Sequence, residues 1–234
     1  MKTVLVYSGG MDSTTLLYEL LHQGDEVMCL SFDYSQRHKK ELVAAKKICA
    51  ALRAALVGKA GHAGRGKRIN GALAHARGRV THKIVDITAM KSLMAGSALT
   101  SPEVPVPEGH YADATMKATV VPNRNMIFLS LAIAQAVSWG ARRVAIAVHA
   151  GDHAIYPDCR PAFIKAMNAV SKIANYEPVQ IHAPFLNMTK GDIAKIGAAR
   201  AVPFEKTWTC YKGLAKPCGT CGACVERAEA LAGL

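Results

Sequence analysis

The chain has 234 residues, of which 50% are hydrophobic and 20% charged, and its formal net charge is +12, a balance typical of a soluble globular enzyme that is long enough to bury a full core. No apolar run approaches the roughly 20 residues of a membrane span, and the first apolar run follows Met1 and Lys2 directly, which leaves no room for a signal peptide. We therefore expect a cytoplasmic protein whose seven cysteines are thiols or metal ligands rather than disulfides.

The first predicted strand runs into a glycine-rich turn and then a helix. Residues 4–7 are apolar, residues 8–14 are SGGMDST, and residues 15–21 place apolar side chains at helical spacing. Such a turn directs free backbone N–H groups and the positive end of a helix dipole at one point, which favours binding of a phosphate chain. Its glycines can adopt positive φ and let phosphate oxygens approach the backbone. Asp12 is placed to cap the helix or to hold Mg²⁺.

This segment lacks the lysine of the Walker loop. It resembles instead the PP-loop, SGGxDS, of the ATP pyrophosphatase superfamily, whose members grip pyrophosphate and transfer AMP to an oxygen atom. An ordinary strand–turn–helix with a Gly-Gly turn is the alternative, and the complete string in the first strand unit disfavours it. The predicted nucleotide-binding residues are Ser8, Gly9, Gly10, Met11, Asp12, Ser13, Thr14, Thr15, Leu16, Leu17 and Tyr18.

Strands and helices alternate along the rest of the chain. Further strands are predicted at 26–33, 82–87, 143–149 and 179–182, and helices at 39–56, 126–139, 160–174 and 190–200. This alternation predicts an α/β fold with a doubly wound, mainly parallel five-stranded sheet, similar to the adenine nucleotide α-hydrolases.

Positive charge is concentrated between residues 53 and 83, which contain eight Lys or Arg residues and no Asp or Glu. This Gly/Ala-rich stretch has little apolar periodicity after residue 56 and predicts a surface insertion at about 54–82. It carries charge suited to RNA phosphates but lacks aromatic residues for stacking bases. The sequence therefore argues against direct nucleic-acid binding.

Four polar segments lie where a parallel sheet binds its ligands, beyond the carboxyl ends of the strands. They are residues 33–38, 120–125, 151–160 and 189–190. Helix caps, turns or surface ion pairs would account for individual members. Four segments at one edge of the sheet favour a site.

The C-terminal segment contains Cys210, Cys218, Cys221 and Cys224, a Cys-x7-Cys-x2-Cys-x2-Cys pattern. Four thiolates are the ligands of a closed tetrahedral zinc site, which leaves no position for water or substrate. We predict one structural Zn²⁺; an iron–sulfur cluster and a redox-active Cys-x-x-Cys pair are the alternatives. The predicted domains are an α/β domain at 1–205, which carries the insertion, and a zinc-binding tail at 206–234.

Six motifs occur in an order that resembles one family. They are SGGMDST at 8–14, FDYSQRH at 32–38, VPNRN at 121–125, YPDCRP at 156–161, TWTCY at 207–211 and the four-cysteine tail. Together they resemble the 7-cyano-7-deazaguanine synthases, PP-loop enzymes of queuosine biosynthesis, over nearly the whole chain apart from about 54–82. The chain departs from that pattern at Ser35, where glycine is usual, and at Ala162, where an acidic residue is common. The insertion is also longer and more basic than expected.

The resemblance implies an ATP-dependent carbon–nitrogen ligase. Such an enzyme converts 7-carboxy-7-deazaguanine and ammonia to 7-cyano-7-deazaguanine (preQ0) through an adenylated carboxylate and an adenylated amide, with ATP as substrate. The resemblance also implies Mg²⁺, one zinc ion per subunit and a homodimer. Asp12, Arg124 and Lys190 are the catalytic candidates, because departing pyrophosphate requires electrostatic stabilisation. The substrate-binding candidates are Arg37, His38, Asp152, Asp158 and Arg160.

Two other functions compete with this one. A tRNA-thiolating PP-loop enzyme would adenylate an RNA base, but it needs a persulfide-carrying or cluster-binding cysteine, and the clustered cysteines fit closed zinc. A non-catalytic zinc-ribbon protein that binds nucleic acid would leave the SGGMDST segment unexplained.

Overall fold

The computed structural model describes residues 1–61, 78–111 and 113–234. Its sheet contains five strands: β1 (Lys2–Val6), β2 (Glu26–Asp33), β3 (Val80–Asp86), β4 (Arg143–Ala145) and β5 (Gln180–His182). The order across the sheet is β3-β2-β1-β4-β5, and every neighbouring pair is parallel. The chain winds outward from β1 in one direction and then in the other, which confirms the predicted doubly wound α/β fold. A crevice is expected where the winding reverses, between β1 and β4.

Helices cover both faces of this sheet. They are α1 (Met11–His22), α2 (Lys40–Gly61), α3 (Arg124–Trp139), α4 (Pro161–Ile173), α5 (Lys190–Ala199) and α6 (Gly222–Ala232). Short 3-10 turns occupy Thr88–Met94, Ala114–Thr119, Ala150–Ala154, Pro157–Cys159 and Phe204–Lys206. No helix within the described ranges is both long and apolar enough to cross a membrane.

Successive residues of β1 serve two different cores, because side chains alternate across a sheet. Val4 packs in the apolar cluster that contains Leu129 of α3. Leu5 packs in the cluster that contains Leu16 and Leu20 of α1. All five of these side chains are completely buried. The strand that leads into the predicted phosphate loop is therefore packed against a hydrophobic core on both of its faces.

Several element boundaries differ from the predicted ones. Helix α2 continues past residue 56 to Gly61, because extending an existing helix adds a backbone hydrogen bond for each further residue without a new nucleation cost. Strand β3 begins at Val80, so both ends of the predicted 54–82 insertion belong to regular elements, and its central residues 62–77 lie outside the described residues. Strand β4 ends at Ala145 rather than 149, and the chain that follows lines a pocket.

The C-terminal tail is joined closely to the sheet domain. Cys210 and Cys221 belong to the same apolar cluster as Val4 of β1. Cys221 also forms a short antiparallel bridge with Glu108. Helix α6, which the sequence did not predict, packs against α5.

Candidate functional site

A pocket lies beyond the carboxyl ends of β1, β2 and β4, at the edge where the winding reverses. It encloses about 1080 Å³ of empty space, including its open mouth. Residues at the end of each of these strands or just after it line the pocket: Tyr7 and Ser8, Phe32 and Tyr34, and Ala147 to His149. The tail closes another side with Trp208, Thr209, Tyr211 and Ala223.

The predicted phosphate loop forms the floor of this pocket. Gly9 adopts a φ of +82°, and Gly10 precedes α1 as an N-cap without a side-chain hydrogen bond. The N–H of Gly10 donates to Ser8 Oγ at 3.1 Å, and Ser8 Oγ lies 3.1 Å from Ser13 Oγ. The loop and the first turn of α1 therefore present uncapped N–H groups and the hydroxyls of Ser8 and Ser13 to the pocket, which suits an anion.

Gly9 is the tightest point of the loop. A Cβ added there would lie 2.6 Å from the carbonyl oxygen of Glu41 and 2.7 Å from the backbone nitrogen of Ala45 in α2. The carbonyl of Gly9 accepts a hydrogen bond from the N–H of Trp208 at 3.1 Å. The loop is thus held between α2 and the tail, and only glycine fits its backbone and its surroundings.

The later members of the predicted nucleotide set lie in the core rather than in the pocket. Thr14 Oγ1 is 3.2 Å from the hydroxyl of Tyr7, and Thr15 Oγ1 donates to the carbonyl of Met11 at 3.0 Å. Leu16 and Leu17 are completely buried, and Tyr18 is nearly so. Nucleotide contact stays a prediction for the whole set Ser8 to Tyr18, and in the structure the residues after Ser13 support the loop from behind.

Lys190 is the centre of a buried charged cluster. Its Nζ lies 3.1 Å from Asp12 Oδ2, 2.7 Å from Glu226 Oε2 and 3.3 Å from His149 Nε2. Burial disfavours the ammonium form, but Asp12 and then Glu226 outweigh it and hold the pKa of Lys190 well above its ordinary value. The structure therefore places a permanent positive charge beside the phosphate loop.

Two helix caps fix the members of this cluster. Thr189 and Asp192 form a reciprocal capping box that starts α5 immediately before Lys190. His149 and Asp152 form a second one, in which Asp152 Oδ2 accepts from the N–H of His149 at 3.1 Å. Asp152 Oδ1 also accepts from the hydroxyl of Tyr111 at 3.0 Å.

Asp12 retains an oxygen without a partner. Its Oδ1 is buried and has no hydrogen-bond partner among the described residues, while Oδ2 faces Lys190. A carboxylate oxygen left free beside a phosphate cradle is the protein ligand that Mg²⁺ ordinarily takes. The donor set therefore fits Mg²⁺ held jointly by Asp12 and phosphate oxygens.

Arg124 brings a second positive charge to the pocket from the start of α3. Burial acts against the charged form, but Tyr34, Tyr211 and then Asp158 keep the pKa of Arg124 above its ordinary value. Asp158 Oδ2 accepts from the N–H of Asn125 at 2.9 Å. Asp158 thus fixes the helix end that carries Arg124, and it does not itself line the pocket.

Aromatic side chains form the opposite wall. The rings of Phe32 and Phe128 stack with their centroids 4.2 Å apart, and Tyr34 packs 5.5 Å from Phe128. The hydroxyls of Tyr156 and Tyr211 lie 3.4 Å apart. A flat apolar surface edged by hydroxyl groups suits a planar, polar-edged ring.

His38 and Glu41 form a buried pair at the start of α2, with His38 Nε2 3.4 Å from Glu41 Oε2. Burial, and secondarily the charge of Arg124, lowers the pKa of His38 to about 3. Burial raises the pKa of Glu41 to about 7, although a hydrogen bond from Gln36 and the charge of Arg124 act in the opposite direction. Both side chains line the pocket.

Two predicted substrate residues lie elsewhere. Arg37 Nη2 donates to the carbonyl oxygens of Ser101, Pro102 and Val104, each at 3.0 Å. Arg160 is exposed, and its Nε donates to the carbonyl of His153 at 2.8 Å. These arginines fix loops around the site and are not among its lining residues. Of the five predicted substrate residues, the pocket includes His38 and Asp152.

Sequence reasoning missed several residues of the site. His149 and Tyr111 lie against the Lys190 cluster, but the sequence places one in a predicted strand and the other in a loop with no motif. Glu41 lies three residues after the FDYSQRH motif, and this proximity is a sequence signal that could have identified it as a site residue. Glu226 had no signal, because α6 itself was not predicted.

The four tail cysteines converge as predicted. Their sulfur atoms all lie within 4.8 Å of one another. The N–H of Cys221 donates to Cys218 Sγ at 3.3 Å, and the N–H of Cys218 donates to Cys210 Sγ at 3.4 Å. Burial opposes the thiolate form of Cys218, but backbone N–H groups, that of Cys221 first, lower its pKa to about 6. The cluster is suited to holding a metal ion with all four ligands supplied by protein.

This cysteine cluster is directly attached to the pocket. Trp208 donates through Nε1 to the carbonyl of Cys210 at 3.0 Å. Ala223, between Cys221 and Cys224, lines the pocket. Glu226, one turn further along α6, contacts Lys190. A metal ion in the tail would therefore fix one wall of the pocket and one partner of its central lysine.

Comparisons with known proteins agree with this geometry. A model of the family described as queuosine biosynthesis protein QueC matches residues 2–234. A protein of Hahella chejuensis named 7-cyano-7-deazaguanine synthase is 52% identical over 229 residues, covering 98% of this chain and 87% of that protein. Proteins with the same name from a Marinomonas species and from Methanoregula boonei are 51% and 48% identical, each over at least 98% of this chain and at least 93% of the relative.

A solved structure supports the fold alone. A 4-thiouridine synthetase in complex with RNA and with bound ATP aligns at a TM-score of 0.52 and 15% identity, covering 99% of this chain. The chain spans about half of that protein, 53% of its length. The full-length family match and the near-complete alignment with relatives at about half identity decide the assignment: the chain belongs to the QueC family of queuosine biosynthesis proteins.

Proposed function

We propose that the chain converts 7-carboxy-7-deazaguanine and ammonia to 7-cyano-7-deazaguanine at the expense of ATP. It is an enzyme of queuosine biosynthesis by its family and by the synthase names of its relatives. The observation that carries the detailed proposal is one pocket in which the phosphate loop, the Asp12–Lys190 pair and an aromatic wall meet.

The phosphate loop and its charges would perform the adenylyl transfers. N–H groups of the first turn of α1, with the Ser8 and Ser13 hydroxyls, would hold the phosphate chain. Lys190 and Arg124 would neutralise the negative charge that grows on departing pyrophosphate, the main electrostatic task of this reaction. Mg²⁺ held by Asp12 would supply further charge neutralisation and orient the phosphates.

Two activations at this site would give the nitrile. The substrate carboxylate attacks the α-phosphorus of ATP, and pyrophosphate leaves. Ammonia then displaces AMP from the adenylated carboxylate and gives the amide. The amide oxygen takes AMP from a second ATP, and loss of AMP with the nitrogen-bound protons leaves the carbon–nitrogen triple bond. One phosphate cradle serves both activations in turn.

The aromatic wall and Asp152 would bind the deazaguanine. The stacked Phe32–Phe128 pair offers an apolar face for the fused ring, while a carboxylate such as Asp152 can accept from the amidine edge of a guanine-like base. Before activation, Arg124, which lines the pocket, would pair with the substrate carboxylate. Arg37, Asp158 and Arg160 would act indirectly, through the loops and the helix end that they hold.

The remaining parts of the proposal concern the metal and the assembly. The four-cysteine cluster would bind one structural Zn²⁺, since four thiolates in a closed set favour zinc. Residues 206–234 would form the zinc-binding module and residues 1–205 the catalytic α/β domain. We further propose a homodimeric, cytoplasmic enzyme.

The purified chain would be incubated with ATP, Mg²⁺, ammonium and 7-carboxy-7-deazaguanine. Mass spectrometry should detect the nitrile, with two AMP and two pyrophosphate released for each, as the double activation requires. AMP release that ignores the acid but increases with tRNA would indicate a thiolating enzyme instead. Absence of ATP binding would indicate a non-catalytic zinc protein.

A further inference from the structure

One carboxylate in the pocket has no role in the adenylyl transfers. Glu41 Oε1 accepts from Gln36 Nε2 at 2.9 Å, and Oε2 lies 3.4 Å from His38 Nε2. The Glu41 side chain is 14% exposed, and Glu41 is one of the residues that line the pocket. Within the described residues its ion-pair partner is His38, and no lysine or arginine pairs with it.

The buried environment prevents this pair from carrying the two opposite charges of an ordinary salt bridge. Burial and Arg124 hold the pKa of His38 near 3, so its imidazole is neutral at neutral pH and does not neutralise the carboxylate. His38 Nδ1 is buried without a partner among the described residues. Burial holds the pKa of Glu41 near 7. A carboxyl group of this kind exchanges its proton readily at neutral pH.

Titratable and charged side chains from the neighbouring elements surround Glu41. They are His38, Tyr34 after β2, Arg124 from α3 and Tyr211 from the tail. Arg124 is the cation among them, and it lowers the pKa of both His38 and Glu41. The raised pKa of Glu41 therefore survives a nearby positive charge, because desolvation is the larger effect.

Glu41 is also close to the phosphate loop. Its backbone oxygen would lie only 2.6 Å from a Cβ on Gly9, so the first turn of α2 packs directly against the turn that would hold ATP. Asp12 and Glu41 line the same pocket. Glu41 thus lines the same pocket in which an adenylated substrate would sit.

Resting on the function proposed above, we propose that Glu41 is the base that takes a proton from ammonium so that the nitrogen can attack the adenylated carboxyl. His38 is the positioning residue that holds Oε2. At neutral pH the nitrogen arrives as ammonium, whose lone pair is occupied by a proton and cannot attack.

The step balances as follows. One N–H bond of ammonium breaks, its proton moves to the Glu41 carboxylate, and the electron pair stays on nitrogen. That pair forms the new C–N bond, while the C–O bond to the phosphate breaks and AMP leaves with its electrons. The amide nitrogen loses its second excess proton to water, and Glu41 returns its own proton to solvent.

The test separates nitrogen attack from adenylation. Glu41→Gln keeps the side-chain shape and an acceptor for Gln36. Glu177→Gln is the matched control, at an exposed carboxylate that pairs with Arg142 before the amino end of β5, whereas the pocket lies at the carboxyl ends of the strands. ATP–pyrophosphate exchange that depends on 7-carboxy-7-deazaguanine reports adenylation. Ammonium-supported amide and nitrile formation reports nitrogen attack. Hydroxylamine, largely unprotonated at neutral pH, gives a hydroxamate without prior deprotonation.

Glu41→Gln should lower ammonium-supported product formation by about 10²-fold or more, while exchange and hydroxamate formation stay at wild-type levels. Loss of exchange, equal loss with both nucleophiles, or undiminished use of ammonium would each overturn the assignment. If Glu41→Gln does not fold, Glu41→Asp decides: ammonium use must fall selectively relative to hydroxylamine. Absence of exchange in the wild type would instead refute the proposed function itself.

Discussion

At the scale of single residues, the site depends on opposite charges kept close together in a buried place. Lys190 is surrounded by Asp12, Glu226 and His149, so it stays protonated and rigid. Each member also constrains the others, because removing one partner of a buried pair leaves an uncompensated charge. Substitutions that preserve shape are therefore the informative ones.

Asp12→Asn preserves shape and removes the negative charge. We expect kcat for pyrophosphate release to fall by about 10²–10³-fold, the range typical when one preorganised electrostatic contact is lost. Asp86→Asn, at an exposed carboxylate that caps its own loop at the end of β3, should leave kcat unchanged. Full activity of Asp12→Asn would remove Asp12 from the catalytic set.

The raised pKa of Glu41 also predicts how the stability of the folded chain depends on pH, and this prediction can be tested without measuring activity. Its pKa is raised from 4.5 to about 7 in the folded chain, so the folded state binds the extra proton and stability falls as pH rises through this interval. Glu41→Gln removes that loss. The variant should gain stability relative to wild type between pH 4.5 and 7, reaching roughly 1–3 kcal/mol above pH 7.

Denaturant unfolding of both proteins across this pH range measures the difference. His38 contributes the opposite slope, since its pKa is lowered to about 3. Because His38 contacts Glu41, the comparison is read most directly above about pH 6.5, where the imidazole is neutral in both the folded and the unfolded chain. A difference that does not change with pH would show that Glu41 titrates normally.

At the scale of elements, the loop works because α2 approaches it without a side chain between them. Gly9 and Gly24 have nearly the same backbone, with φ of +82° and +84°, but only Gly9 would meet other atoms with its Cβ. Alanine at either position costs roughly 1–2 kcal/mol for the left-handed conformation. Gly9→Ala should cost about 1–3 kcal/mol more, because backbone must move.

Thermal melting of the two variants isolates the close contact. For a chain of this length each kcal/mol lowers Tm by about 2–4 °C, so Gly9→Ala should melt clearly below Gly24→Ala. Gly9→Ala should also lose ATP binding, whereas Gly24→Ala should keep it. Equal melting temperatures would mean that α2 does not press against the loop in solution.

The cysteine cluster makes a second prediction at this scale. Cys221→Ser should abolish stoichiometric metal binding, and loss of a structural metal should loosen α6. Because Glu226 of α6 holds Lys190, faster hydrogen exchange should extend from α6 into the start of α5 and leave β1 protected. Cys49→Ala, at a core cysteine outside the cluster, should keep its metal. Retained metal in Cys221→Ser would contradict the ligand set.

The same elements show what could be predicted from sequence. The glycine-rich turn between the first strand and helix, the alternation of strands and helices and the convergence of the four cysteines each have local signals, and the structure contains each of them. Phosphate binding by the turn stays a prediction. Side-chain direction has no such signal: Arg37 and Arg160 belong to polar motifs, yet both hold loops. Helix α6 begins at Gly222, inside the four-cysteine pattern, so its residues were assigned to the metal-binding segment and Glu226 was not placed on a helix. Ser35, noted for replacing a usual glycine, adopts a φ of +64°, which explains why glycine suits that turn.

At the scale of the whole molecule, the tail and the sheet domain share one core. Cys210, Cys221 and Cys224 pack in the apolar cluster that contains Val4 of the central strand. The carbonyl of Gly9 is held by the tail through Trp208. The division proposed between residues 205 and 206 would therefore mark a metal-binding module in the sequence, and the two parts should still unfold together.

Scanning calorimetry of the metal-bound chain tests this coupling. We expect one transition, with an unfolding enthalpy of about 160 kcal/mol near 60 °C for a chain of this size, and with equal calorimetric and van't Hoff enthalpies. Removing the metal should lower the melting temperature of that single transition, because the wall of the pocket and the core beneath it loosen together. The alternative result is a separate low-temperature transition that disappears on metal removal while the main transition is unchanged. That result would show that the tail folds as an independent domain and only contacts the site.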